Sequence, residues 1–537
     1  MKYFNRAFYL NTTERFFMQK VLHIKTLTLI LVFSIFMSLL NYQFFLFCFK
    51  DISFDGNKTI FFTLPIIYFI LTNFIYSVLL IPYIWKFIAV LTVLISSLSA
   101  YFMGAYGVIL DSEMIRNVFE TNPAEAASYL NFNLVLWLVF TCILPIIYII
   151  KVKVRYANFK QELIKRVSFT LGCLVVLGVL GVFLAKTYMP FFREHNHARF
   201  YNLPFYPIYS TNKFIKQRYF YKKEEFKIIA ADATRVKGDR QKILIFIVGE
   251  AARSANYSLN GYKLHDTNKF TQTKDVVSLP DFYSCGTATA QSVPCMFSNL
   301  GRENFSVDKA NNQENAIDIL AKTGVDVYWA ENDNGCKGVC DRMKNVLTRN
   351  VGMDTVLLED AKNWLEIAKK DDNDTAIFIH VIGSHGPTYF ERYPKEFAQF
   401  SPSCETSELK NCSSEEIVNV YDNTILYTDF IMSNLIDMLK EQEANADVAL
   451  FYLSDHGESL GENGIYLHGL PYAIAPDEQK HIPAIAWFGE SLKDKKQNLQ
   501  NVKGERFSQD NVFHSLLGFF DINTSVYKQN LDLFNIK

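Results

Sequence analysis

Five long apolar stretches before position 188, at roughly 22–48, 59–83, 86–110, 132–151 and 167–187, constrain this chain more than any other feature. Each is long enough to cross a hydrocarbon core of about 30 Å, which takes roughly 20 helical residues. Burying five such runs inside soluble protein would be difficult, so they read as membrane helices. The first is too long for a signal peptide and lacks a small-residue cleavage site, so it is expected to remain as an anchor. With 537 residues, half of them apolar, the chain implies at least two domains, one of them in lipid.

Basic residues set the orientation. Lys2, Arg6, Arg15, Lys20 and Lys25 precede or open the first span, and Lys151, Lys153, Arg155, Lys160, Lys165 and Arg166 lie between the fourth and fifth, so both segments are expected in the cytoplasm. The loop between the third and fourth spans carries Asp111, Glu113, Glu120 and Glu125 against Arg116, which suits the opposite side. Five crossings then deliver everything after about 188 outside the cytoplasm. Cysteine usage agrees: Cys48, Cys142 and Cys173 fall in or beside apolar spans, whereas Cys285, Cys295, Cys336, Cys340, Cys404 and Cys412 form three close pairs in the polar half, read as local disulfides. A zinc site at Cys336 and Cys340 is the weaker reading, because no second ligand pair has matching spacing. Net charge of −1 and the lack of a basic block argue against nucleic acid as a partner.

Residues 1–187 are therefore expected to form a five-helix transmembrane domain, 188–235 an amphipathic connector on the membrane surface, and 236–537 an exported catalytic domain. The connector interleaves aromatics such as Tyr209, Phe214, Tyr219 and Phe220 with Arg199, Lys213, Lys216 and Arg218, a composition that favours the headgroup layer. Beyond it, short apolar runs at 242–248, 325–330, 375–382, 448–453 and 482–488 alternate with helical segments at 312–322, 359–370 and 415–442. This alternation predicts a mostly parallel sheet with helices on both faces.

Ligands of open α/β sheets bind beyond the carboxyl ends of the strands. Three of the runs lead there to metal-type residues: the first to Glu250, the third through Gly383 and Ser384 to His385, and the fourth to Asp455, His456 and Glu458. Glu250, Asp455 and His456 would supply three ligands to a divalent cation, with zinc favoured because it accepts mixed nitrogen and oxygen donors. A fourth position would take water or a hydroxyl nucleophile. The segment from Cys285 to Cys295 sets Thr287, Thr289 and Ser292 between two cysteines, a loop that can present one rigidly held hydroxyl.

Gly249-Glu250, the run Cys285-Gly-Thr-Ala-Thr-Ala-Gln-Ser-Val-Pro-Cys-Met-Phe-Ser298, Cys336-Lys-Gly-Val-Cys-Asp341, Gly383-Ser-His-Gly-Pro-Thr388 and Ser454-Asp-His-Gly-Glu458 together resemble the lipid A phosphoethanolamine transferases, a family that includes the mobile colistin-resistance enzymes. The similarity extends over nearly the whole chain. It implies a five-helix membrane domain followed by an alkaline-phosphatase/sulfatase-like α/β domain in the periplasm of a multi-pass protein of the bacterial inner membrane. It further implies that Thr289 is the nucleophile and a zinc ligand with Glu250, Asp455 and His456, and that one zinc is tightly bound. His385 and His468 match residues associated with a second zinc or with substrate phosphate, and either would serve as the acid. Asn117, Thr121, Glu125 and Lys337 match positions that bind the ethanolamine lipid; a spacing of four would put the first three on one helical face.

The implied reaction is double displacement. Thr289 attacks phosphatidylethanolamine, diacylglycerol leaves, and phosphoethanolamine passes to a phosphate of lipid A or lipopolysaccharide, altering surface charge and polymyxin resistance. The protein is expected to act as a monomer among membrane lipids. Core Kdo or heptose, or a protein, are alternative acceptors. A phosphoglycerol transferase and an inactive lipid-binding scaffold are the other readings. A sulfatase is disfavoured because Ser292-Val-Pro294-Cys295 is followed by Met296, not the required arginine.

Overall fold

The computed structural model describes residues 23–50, 58–121, 123–220, 225–333, 335–349 and 352–535. Lys2, Arg6, Arg15 and Lys20 lie outside this set. The chain divides into two compact units, one of residues 1–101 with 132–207 and the other of residues 102–131 with 208–537.

The first unit is helical. Four of the described helices, Lys58–Leu79, Trp85–Tyr106, Phe132–Lys151 and the apolar part Phe159–Met189 of a longer one, are individually long and apolar enough to cross a membrane. The first expected span differs: it is two helices, Thr26–Leu40 and Tyr42–Lys50, bent by 51° and countable as a fifth span only together. Asn41 at the break explains the bend. Its buried side chain donates to Met37 O at 2.8 Å and Leu203 O at 2.9 Å and accepts from Leu203 N at 2.7 Å, so the backbone there is tied to a second segment. Apolar residues line the outer face as well as the core, with Val182 78% and Phe183 79% exposed, as expected of a lipid-facing helix.

The second unit is built on an eight-stranded sheet. Its spatial order is Phe507–Ser508, Val277–Tyr283, His481–Phe488, Ala446–Ser454, Gln241–Gly249, Thr375–His380, Asp326–Glu331 and Val346–Thr348. All neighbours are parallel except His481–Phe488, which runs antiparallel to both of its partners. Ile243 through Val248 are no more than 1% exposed, which is why the central strand reads as an unbroken apolar run. The expected helices are present as Ala316–Lys322, Val356–Asp371 and Ser414–Lys440. Asn315 and Ser413 close capping boxes at the first and last of these.

Residues 102–131 pack within this second unit. Phe214 is fully buried, with the Phe119 ring 5.1 Å away and the Arg116 and Arg218 guanidinium groups 5.6 and 5.8 Å from its centre. Met114 lies against Gly469, where a Cβ would come within 2.4 Å of its Cε. These contacts set the helix Ser112–Glu120 beside the loop that carries His468.

Candidate active site

Register brings the chemistry together. The strand Gln241–Gly249 pairs in parallel on both sides, with Val248 opposite His380 and Gly249 opposite Ser454, while His380 also faces Glu331. Four strand ends are therefore level. At or just beyond them stand Glu250, Asp455 and His456, His380, and Asp333. Glu250, Asp455, His456 and His380 are completely buried and Asp333 is 4% exposed.

One ligand atom each from Glu250, Asp455 and His456 lies within 4.8 Å of the others. His456 Nε2 is 3.4 Å from Glu250 Oε1 and 3.3 Å from Asp455 Oδ2. Glu250 Oε1 and Asp455 Oδ2 have no hydrogen-bond partner among the described residues. Buried carboxylate oxygens without donors are costly unless a cation lies between them, so this trio fits a divalent ion. Burial, followed by the Asp455 and Asp333 charges, pushes the Glu250 carboxyl well above the usual carboxylate range. Burial pushes His456 down to about 4, keeping its imidazole neutral and able to ligate.

Thr289 opens the helix Thr289–Met296. Its Oγ1 donates to Glu250 Oε2 at 3.0 Å and lies 3.4 Å from His456 Nε2. Thr287 instead donates to Leu470 O at 2.6 Å, which commits its hydroxyl to the scaffold. Structure thus separates two threonines that spacing alone leaves equivalent and that the family resemblance tells apart. The Cys285–Cys295 disulfide joins the start of the loop to this helix, and the Cys336–Cys340 and Cys404–Cys412 pairs are also bonded.

Asn117, Thr121, Lys337, His385 and His468 line one small pocket of about 40 Å³ with Thr289, Ala290, Glu120 and Asp333. Lys337 sits there with φ of 52°, between Gly335 at 86° and Gly338 at 92°, inside the five-residue ring closed by Cys336 and Cys340. The single helical face expected for Asn117, Thr121 and Glu125 is not formed. The helix ends at Glu120, Thr121 is extended, and a new helix starts at Pro123, whose ring cannot continue the first. The Glu125 side chain lies outside those described, and Glu120 is the carboxylate of this segment that lines the pocket.

Four residues gain a role from the structure beyond the one read for them in the sequence. His380 ends its strand with neither ring nitrogen hydrogen-bonded among the described residues, 3.9 Å from Glu250 Oε2 and 3.8 Å from Asp333 Oδ2. Its signal was a lone histidine inside an apolar run. Asp333 follows one of the two strands whose ends were passed over, and the three residues Glu250, Asp333 and His380 form a second candidate ligand set. Glu458 is buried, accepts from Tyr389 Oη at 2.6 Å, and pairs with His468 Nδ1 at 2.8 Å. That contact fixes the His468 tautomer, so Nε2 is the nitrogen able to serve substrate. Glu120 is the fourth.

Gly457 explains how His456 is held. A Cβ there would come within 2.0 Å of the Glu478 backbone oxygen, while Gly457 O meets His456 Nδ1 at 2.9 Å. Gly457→Ala is expected to cost about 2–3 kcal/mol and to move His456 away from the carboxylates, seen as a lower Tm with weakened metal retention.

A sulfatase-like α/β domain with a threonine beside a carboxylate–histidine metal set, joined to a unit of apolar helices, defines the class. Residues 242–522 match the sulfatase family, and residues 68–219 match the family described as phosphoethanolamine transferase EptA/EptB. The chain is similar to phosphoethanolamine transferase EptA of Salmonella typhimurium, with 36% identity over 94% of this chain and 95% of that protein. Its structure resembles that of the integral membrane protein lipooligosaccharide phosphoethanolamine transferase A (EptA) from Neisseria meningitidis, with a TM-score of 0.89 and 32% identity over 95% of this chain and 98% of that one. The C-terminal periplasmic domain of phosphoethanolamine transferase EptC from Campylobacter jejuni matches at 50% identity and a TM-score of 0.55, over 58% of this chain and 99% of that one. The chain belongs to the EptA-type phosphoethanolamine transferase family.

Proposed function

We propose that this protein moves phosphoethanolamine from phosphatidylethanolamine to a phosphate of lipid A, with Thr289 as the covalent way-station. The observation that carries the reading is the Thr289 hydroxyl, 3.0 Å from Glu250 at the meeting point of the buried ligand set. Glu250, Asp455, His456 and the Thr289 hydroxyl would hold one zinc ion, and His385 and His468 a second zinc or a substrate phosphate. A bound zinc supplies Lewis acidity, which lowers the pKa of a neighbouring hydroxyl and offsets charge on phosphoryl oxygens.

The residues of the chain account for the remaining chemistry. Thr289 Oγ1 forms a bond to phosphorus as the bond to the diacylglycerol oxygen breaks, and Glu250 Oε2, to which it already donates, takes its proton. His468 Nε2 supplies the proton to the leaving diacylglycerol oxygen, while Lys337 offsets charge on the equatorial oxygens. An oxygen of the acceptor's hydrogen phosphate then attacks phosphorus as the bond to Thr289 Oγ1 breaks; Thr289 recovers its proton from Glu250, and the proton of the acceptor phosphate returns to His468. Asn117 and Thr121 hold the donor headgroup, with Glu125 on the next helix.

Apolar spans in the inner membrane and a periplasmic site would let both lipids react without extraction. Tyr209, Tyr219 and Phe220, which are 62%, 66% and 79% exposed, suit residues 188–235 to the membrane surface. Mass spectrometry of lipid A and core oligosaccharide from cells with and without the protein tests the acceptor. A phosphoethanolamine increment on lipid A is expected, and one confined to core sugars would reassign the acceptor.

Glu458→Gln is expected to lower kcat about 10- to 100-fold and leave KM within twofold, because His468 would lose its charged partner but keep its place. A shift of the alkaline limb of the kcat–pH profile to lower pH, absent in Tyr389→Phe, separates this from a packing defect.

A further inference from the structure

A cleft of about 780 Å³ opens beside the nucleophile loop, with Ser284 and Cys285 on one side and Arg302, Tyr472, Lys480 and Arg506 on the others. It shares no lining residue with the small pocket at Thr289. Its volume lies within the range of about 300–1,000 Å³ typical of small-molecule sites. Two arginines lie over aromatic rings: the Arg302 guanidinium is 3.9 Å from the centre of the Tyr472 ring, and that of Arg506 3.9 Å from the centre of the Tyr283 ring. Stacking fixes the guanidinium plane and leaves its edge donors, the geometry that grips a phosphate in a bidentate fashion.

The wall is not of one sign. Glu303, Asp477, Glu505 and Asp510 alternate with the cations. Asp477 pairs with Lys480 at 3.6 Å, and Asp510 accepts from Arg302 N at 2.9 Å. A simple polyanion would meet these carboxylates unfavourably. A hydroxyl-rich ligand carrying a separate phosphate would satisfy both, its hydroxyls donating to carboxylates and its phosphate meeting the stacked arginines.

The cleft is also tied to the chemistry. Tyr472 Oη donates to Ser284 O at 3.0 Å; Cys285 N donates to Gln509 Oε1 at 2.7 Å, and Gln509 Nε2 in turn donates to Asp455 O at 2.6 Å. Thr289 lies four positions after Cys285, a span of at most about 14 Å of chain. A saccharide seated here reaches toward the nucleophile.

We propose that this cleft is a subsite for a phosphorylated saccharide, seating sugars attached to the acceptor while its reacting phosphate lies at Thr289. The inference rests on reading the acceptor as a phosphorylated glycolipid. Calorimetric titration of the full-length enzyme with glucosamine 6-phosphate tests the site directly. Arg302→Ala/Arg506→Ala is expected to weaken binding at least tenfold, and Thr289→Ala to leave it unchanged. Equal binding by wild type and double variant, or none by wild type at millimolar sugar, overturns the proposal. With acceptors that do and do not carry inner-core sugars, the double variant should raise KM about tenfold for the first only, at constant kcat. Equal changes for both overturn the acceptor role. Wild-type enzyme that modifies neither acceptor would refute the proposed function, while the titration would still decide the cleft.

Discussion

Thr289→Ala is expected to lower phosphoethanolamine transfer at least about a thousandfold while leaving the protein folded. The hydroxyl is the reacting atom in the proposed displacement, and none of its neighbours can replace it: Thr287 is committed to Leu470 O, and the Ser292 hydroxyl is buried and accepts from Gly286 N at 3.0 Å. The fold should tolerate the change, because Thr289 is only partly buried and the Cys285–Cys295 bridge holds the loop independently. Thr289→Ser should keep measurable activity, since it retains the oxygen but loses the methyl group that restricts χ1. Quenching wild-type enzyme during turnover and digesting it should give the Thr289 peptide one phosphoethanolamine heavier. An unmodified peptide together with a fully active Thr289→Ala enzyme would remove the covalent step.

Glu250→Gln should have opposite effects on activity and on the stability of chelated protein. Transfer should fall more than about a hundredfold, because the variant loses a charged metal ligand and the acceptor of the Thr289 hydrogen bond. Zinc per chain should fall from near one to near zero. With zinc at 100 times its Kd, wild-type protein should gain about 2.7 kcal/mol, or roughly 5–10 °C in Tm, and the variant should gain little. In chelator, however, Glu250→Gln should be the more stable protein, because it removes one of three clustered buried carboxylates, with Asp455 and Asp333 remaining.

The pH dependence follows in sign. The raised Glu250 carboxyl keeps its proton in the folded state to higher pH than in the unfolded chain, where it titrates near 4.5. Folded protein therefore binds more protons above that value, and chelated wild type should lose stability as pH rises through the window up to the raised folded pKa. Glu250→Gln should flatten that slope. Denaturant melts in chelator across the window check it, and a Glu250→Gln protein less stable than wild type in chelator would show that the carboxylates do not repel.

Features set by local composition were legible in advance. Helices apolar enough to cross a membrane and buried parallel strands read as long apolar runs because apolar residues line every side of each, and the cysteine pairs lie close enough in sequence to bond locally. Residues immediately after a strand were legible as candidate ligands for the same reason: Glu250, Asp455 and His456 sit where an apolar run stops. The break at Asn41 was not, since it depends on Leu203, which is 162 residues away.

By itself, then, the sequence determined which segments are long and apolar enough to cross a membrane, which become strands, and which short motifs carry oxygen and nitrogen donors, because these follow from the lengths and endings of apolar runs. Only tertiary structure decided which donors meet. The register that levels Val248 with His380 and Gly249 with Ser454 brought His380 and Asp333 to Glu250. Long-range hydrogen bonds set Thr289 on Glu250, Thr287 on Leu470 and Glu458 on His468, and the extended residue after Glu120 turned Glu120 into the pocket. Ligand sets and proton partners require atoms a few ångströms apart, and for residues far apart in the chain that separation is fixed by strand pairing and packing.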